Sequence, residues 1–103
     1  MQTYNKNSFG ESFRVNFGRD ISTATAFSLT LQPEVGDSIS KTPALGTSDV
    51  VDGDLLFSAN QYVEYTTEES DFSDYVGRWR ASATATIGSS KISTEQILFT
   101  VTE

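Results

Sequence analysis

The sequence predicts an all-β fold, a single antiparallel β-sandwich of about seven strands with one short helical turn, and three observations carry that prediction. The run from Val76 to Ile87 alternates strictly, with Trp79, Ala81, Ala83, Ala85 and Ile87 on one parity and Arg78, Arg80, Ser82, Thr84 and Thr86 on the other. Alternation of this kind marks a strand with one face on a core and one in water. Shorter runs of the same period recur along the chain, and almost no helical period is present. Gly, Pro, Asp and Ser separate those runs at regular intervals.

Phe9, Glu11, Phe13, Val15 and Phe17 alternate with Ser12, Arg14 and Asn16, which predicts a first strand ending near Gly18 and the charged turn Arg19-Asp20. Thr25, Phe27, Leu29 and Leu31 form the next, stopped by Pro33, which lacks a ladder donor. The stretch 34–48 is the least patterned, with Gly36-Asp37, Pro43 and Gly46 as punctuation and a short edge strand expected around 39–41. Asp52-Gly53 between Val50-Val51 and Leu55-Leu56-Phe57 predicts a tight hairpin, because both residues tolerate positive φ.

A strand over 61–65 follows. Thr66-Thr67-Glu68-Glu69 then fits a capping box, so a single helical turn through Phe72 is expected. After the Trp79 strand come a turn at Gly88-Ser89-Ser90 and a last strand, Ile97 to Val101, whose odd positions face inward. Three alanines in the Trp79 strand supply little volume, so large side chains from a facing sheet are needed to reach normal packing density. The predicted core is Phe13, Val15, Phe17, Phe27, Leu29, Trp79, Ala81, Ala83, Ala85, Phe99 and Val101. The whole profile is that of an immunoglobulin-like sandwich over 9–103, preceded by a polar arm, 1–8.

At 103 residues the chain has the length of one domain and no composition break divides it. It contains no Cys and no His, which removes disulfides, thiolate sites, the commonest general base and the commonest transition-metal ligand together. The lack of Cys is the habit of a protein made in a reducing cytoplasm. Seven basic residues against fourteen acidic ones give a net charge of −7, which repels phosphate backbones and anionic membranes; neither nucleic acid nor membrane is an expected partner. The polar N-terminus has no apolar run resembling a signal peptide, and no stretch approaches the ~18 apolar residues of a membrane span.

Each candidate site has a plainer competing role. Asp49, Asp52 and Asp54 around Gly53 suggest a calcium loop, but Val51 breaks the D-x-D-x-D-G order and no acid stands at the twelfth position; a solvated turn is expected, with no metal or cofactor. Glu64, Glu68, Glu69, Asp71 and Asp74 cluster near the helical turn, where a glycosidase would need one raised carboxyl inside a cleft; a solvated face is expected, and no catalytic residue is assigned. The many serines have no His or positioned Lys to activate them. Arg78 and Arg80 project side by side and suit either a partner's carboxylate or acids on a neighbouring strand. With Tyr4 and Lys6 of the arm they are the candidate partner contacts, the arm being long enough to add to a neighbour's sheet edge. Tyr62, Tyr65 and Trp79 are possible stacking platforms for a glycan, an option that requires Trp79 to leave the core.

The stretch Asp20 to Leu31, then Gly77-Arg78-Trp79-Arg80-Ala81, then Ser93-Thr94-Glu95 leading into Phe99-Thr100-Val101, resembles the small immunoglobulin-like modules of tailed-bacteriophage virions, most nearly the N-terminal module of baseplate upper proteins. The resemblance runs from about Phe9 to Val101 and excludes 34–48. It implies a non-enzymatic structural protein of a phage particle, in tail, baseplate, neck or capsid decoration. Such a protein is assembled in the bacterial cytoplasm and held by contacts with other virion proteins and with copies of itself. The alternative is an adhesin-type module recognising a cell-surface glycan or protein.

Overall fold

The computed structural model describes residues 2–7, 9–68, 70–73, 75–94 and 96–103. The strands are β1 (Gln2–Asn5), β2 (Ser12–Asn16), β3 (Ala26–Pro33), β4 (Ile39–Lys41), β5 (Ala44–Leu45), β6 (Val50–Asp52), β7 (Leu55–Phe57), β8 (Tyr62–Thr66), β9 (Gly77–Ile87), β10 (Ser90–Ser93) and β11 (Ile97–Thr102). The larger sheet runs β1-β11-β9-β3-β4, with β10 also on β9; the second runs β2-β8-β5; β6 and β7 pair only with each other.

The alternating segment becomes the spine of the larger sheet. On one side β9 pairs antiparallel with β3 from Ala26↔Thr86 to Pro33↔Trp79, and β3 ends at the proline that cannot donate. The other side is shared between β11, opposite Gly77 to Ala81, and β10, opposite Thr84 to Ile87. Thr94 carries the handover: its hydroxyl accepts the Ala83 N–H at 3.0 Å and its own N–H donates to the Ala83 carbonyl at 2.9 Å. The sheet edge therefore stays hydrogen-bonded where the chain steps from β10 to β11.

Both sheets turn apolar residues into one core. Phe13, Val15, Val63 and Tyr65 come from the second sheet, and Leu29, Leu31, Trp79, Ala81, Ala83, Ala85, Phe99 and Val101 from the larger one. Phe17 and Phe27, expected inside, are half-buried and pack against that cluster from its margin, Phe17 just past the end of β2 and Phe27 the second residue of β3. Phe9 is exposed and lies before the start of β2. One end of the core is aromatic: Trp79 stacks on Phe99 at 5.9 Å, and Phe72 meets both edge-on at 5.6 Å. Ile21 and Phe72, fully buried, come from connections rather than strands.

Two expectations change. Residues 2–5, read from sequence as part of a free arm, form β1, which pairs parallel with β11 from Gln2↔Phe99 to Asn5↔Thr102. Tyr4 is 6% exposed and packs against Phe13, Phe72 and Phe99. The reason is local: a strand of four residues places only two side chains inward, so one tyrosine in a polar run suffices to anchor it. Met1 and Ser8 lie outside the described residues.

The second change is at the expected helical turn. The described residues contain no helix; Asp71 N–H to Glu68 O at 3.1 Å and Ser73 N–H to Ser70 O at 3.3 Å make successive turns. Thr66 ends β8, and it is the Asp71 carboxylate that accepts the Glu68 N–H, at 2.8 Å. Glu69, the other half of the expected capping box, lies outside the described residues.

Candidate interaction face

The register of the larger sheet fixes what its outer surface presents. Opposite parity to Trp79 places Arg78, Arg80, Ser82, Thr84 and Thr86 outward. Thr30 lies across from Ser82 and Ser28 from Thr84; Thr100 lies across from Arg78 and Leu98 from Arg80. On the flanks, Lys91 stands opposite Thr86, Thr3 opposite Thr100, and Ser40 opposite Thr30. Thr84 and Ser93 join hydroxyls at 3.3 Å.

No outward position of these strands is Asp or Glu, in a chain with fourteen acids, while three of its seven basic residues, Arg78, Arg80 and Lys91, are there. Arg78 and Arg80 are exposed, and no described acid lies within ion-pair distance of either. The neighbouring-strand pairing that sequence allowed is thus not made among the described residues: the register sets Gln32, Leu98 and Thr100 beside them, and Glu34, whose N–H donates to the Arg78 carbonyl at 2.9 Å, forms no ion pair with the guanidinium.

The other predicted contacts fall elsewhere. Tyr4 is core, and burial raises its hydroxyl pKa from 10.0 to about 12. Lys6 is half-buried, and its N–H donates to Thr102 O at 2.8 Å. Tyr62, Tyr65 and Trp79 are all buried, so none offers a ring face to a sugar. The Tyr62 hydroxyl donates to Ser48 O at 2.8 Å and the Trp79 indole N–H to Tyr75 O at 3.1 Å.

Several of the candidate acids are engaged structurally. Asp71 is buried, accepting the Tyr65 hydroxyl at 2.6 Å and facing Lys41 Nζ at 3.0 Å. Bonding to Asp71 holds the Lys41 ammonium well above its usual pKa, and burial together with Asp71 pushes the Tyr65 hydroxyl up. This network ties Glu68 and Asp71 to β4 and β8. Asp49 accepts the Ala59 N–H at 2.7 Å, Asp52 sits 3.9 Å from Arg14, and Glu64 bonds Arg14 at 2.7 Å. Among the described residues no group of three acids is placed to hold a metal ion. Asp74 lies outside them.

Beside the basic face, a groove of about 690 Å³ opens between β2 and the β10–β11 step, lined by Phe13, Phe17, Phe57, Ile97 and Leu98 among others. The β6–β7 hairpin forms one wall. Its pair Val51↔Leu56 points away from the molecule, 72% and 56% exposed, and Gly53 at φ 63° makes the tip. Sequence reasoning missed Leu98, Val51 and Leu56 as surface features, although the parity of the last strand already set Leu98 outward. No family model, curated protein or solved structure matches the chain.

Proposed function

We propose that this protein is an immunoglobulin-like β-sandwich that works without catalysis, as a structural component of a bacteriophage particle bound through its larger sheet. The strand order supports the fold reading. A sheet β11-β9-β3-β4 faces a sheet β2-β8-β5, which is the G-F-C-C′ and B-E-D arrangement of such domains, with the first strand added alongside the last. The resemblance of Asp20 to Leu31, Gly77 to Ala81 and Ser93 to Val101 to phage virion modules supports the particle reading. Its partners are other virion proteins and further copies of the chain, met after synthesis in the host cytoplasm.

One observation carries the contact role: the strands of the larger sheet turn Arg78, Arg80 and Lys91 outward among hydroxyl side chains with no Asp or Glu at any of their outward positions, on a molecule of net charge −7. Such a face attracts an acidic protein surface, and Arg offers planar bidentate pairing to its carboxylates. The adhesin alternative loses its aromatic platform to the core. The test is incorporation into particles when the chain is expressed with the particle's other structural genes. Arg78→Glu with Arg80→Glu should lower incorporation by about tenfold or more, equivalent to ~1.4 kcal/mol, with the monomer's melting curve retained. Undiminished incorporation overturns the reading.

A further inference from the structure

Strand β2 has one side that pairs with nothing. Phe17 N–H donates to Gln61 O at 2.8 Å and Thr67 N–H to Glu11 O at 2.9 Å. Antiparallel bonds recur at every second residue, so the odd positions of β2 direct their main-chain groups to β8. Ser12, Arg14 and Asn16 turn theirs the opposite way, where β2 ends its sheet and no described strand stands. With five residues it is the longest described strand with an open side, and it carries neither Lys nor Pro to blunt that side. Its one charge, Arg14, is taken up by Glu64 at 2.7 Å and Asp52 at 3.9 Å.

The groove follows this edge. Residues 13–18 line it in unbroken succession, whereas a hollow on one face of a strand would meet every second residue. Across it stand Ile97 and Leu98, the part of β11 beyond its described pairing with β1, and Leu55 and Phe57 add further apolar surface. At the start of β2 a second hollow continues past Ser12 to Glu11, an exposed acid with no ion pair to a described residue. The geometry points to β2 as an acceptor edge: an extended segment of a partner protein adds to it as an antiparallel strand, with alternate side chains apolar and turned into the groove and a Lys or Arg near its C-terminal end against Glu11. A row of unmet main-chain groups fits a strand rather than a helix or a compact surface, and such addition draws affinity from main-chain bonds and specificity from alternate side chains. The groove walls admit a single strand, whereas the β2 of a second copy would bring its own β8 alongside. The inference is independent of the basic face and adds a second contact to it.

Selection of random nine-residue peptides on the immobilised full chain tests it, followed by amide hydrogen exchange of the chain with each selected peptide. The peptides are expected to alternate apolar and polar residues and to carry Lys or Arg near the C-terminal end. When bound, they should slow exchange at Ser12, Arg14 and Asn16, amides expected to exchange freely in the chain alone. Arg14→Pro removes an outward donor without touching the β8 ladder, and Ser12→Pro does the same at the first residue of the strand. Each should weaken peptide binding at least about fivefold, the scale of one lost main-chain hydrogen bond, while Arg14→Ala and Ser12→Ala retain it. Circular dichroism melts of each variant separate lost binding from lost folding. Failure to select any peptide, selected peptides without the alternation, protection confined to residues outside 12–16, or indifference to both proline variants each overturns the proposal, as does a dimer of the chain closed through β2. Arg78→Glu with Arg80→Glu should leave peptide binding intact. Loss of particle incorporation in that variant, with no peptide selected, would remove the acceptor edge and keep the contact reading of the basic face.

Discussion

Trp79 and Arg80 are neighbours in sequence with opposite roles, and the difference is wholly one of which way a pleat points. Trp79 is 1% exposed and holds Phe99 and Phe72 around it, while its indole N–H reaches the Tyr75 carbonyl. Trp79→Ala is therefore expected to cost about 3 to 5 kcal/mol. Arg80→Ala, at an exposed position without an ion pair to a described residue, should change stability by no more than about 0.5 kcal/mol. Urea titrations of the two variants check this; equal midpoint shifts would mean that the strand faces are reversed. Tyr4 sets a pH limit at the same scale. Its hydroxyl ionises near 10.0 when unfolded and near 12 when folded, so the folded state keeps a proton that the unfolded state loses. Its contribution is whole below pH 10.0 and is lost as pH rises toward 12, with Tyr65 acting in the same direction. Tyr4→Phe should flatten the alkaline fall in melting temperature across that window; a fall as steep as in the parent would exclude Tyr4 as a source.

Among the elements, β1 shows most clearly how a short strand is stabilised. It adds main-chain pairing to β11 and one ring to the aromatic end of the core. Deleting residues 1–5 should cost about 3 kcal/mol or more, the scale of emptying an aromatic site, and would appear as a lower urea midpoint. A truncated chain as stable as the full one would mean that β1 is not seated in solution. Gly46 is a second element-level constraint. A Cβ there would overlap the Tyr62 ring, which is fixed by its bond to Ser48 O and its edge contact with Phe57 at 5.5 Å. Gly46→Ala should cost about 1 to 3 kcal/mol, whereas a side chain at the tip residue Gly53 meets open space and only the strain of its positive φ. These two elements also mark where sequence stops being informative. The spine strand, its partner β3 and the Asp-Gly hairpin were legible because period and turn chemistry are local. β1 and β5 are too short for a period to show. Ile21 and Phe72 sit in connections, where no alternation identifies an inward side chain. The Lys41–Asp71–Tyr65 network joins residues whose approach only the tertiary fold decides. On the candidate face, Arg78 and Arg80 were visible as a pair, but the lack of acids at the strand positions around them depends on the five other strands of the sheet and their register.

For the molecule as a whole, charge is distributed unevenly rather than merely being negative. The strands of the larger sheet turn three bases and no acid outward, while Asp52 and Asp54 stand at the hairpin tip. Self-repulsion from a net charge of −7 opposes compaction, and salt relieves it by screening. Moderate sodium chloride is thus expected to raise the melting temperature slightly. Calcium should do no more than sodium chloride at matched ionic strength, and EDTA should remove nothing. The reason is that three of the candidate carboxylates already have partners: Asp49 takes the Ala59 N–H, Asp52 faces Arg14, and Asp71 is divided between Tyr65, Glu68 N–H and Lys41. Gathering them around an ion would break those contacts before any ligand was gained. A specific calcium site would announce itself by mass action, because an ion that binds only the folded state raises the midpoint by an amount that grows with its concentration, about 2.7 kcal/mol at a hundred times its dissociation constant. Thermal melts with calcium, with magnesium and with EDTA at constant ionic strength decide the matter; a rise of several degrees confined to calcium would show that the Asp52-Gly53-Asp54 hairpin rearranges into a metal loop.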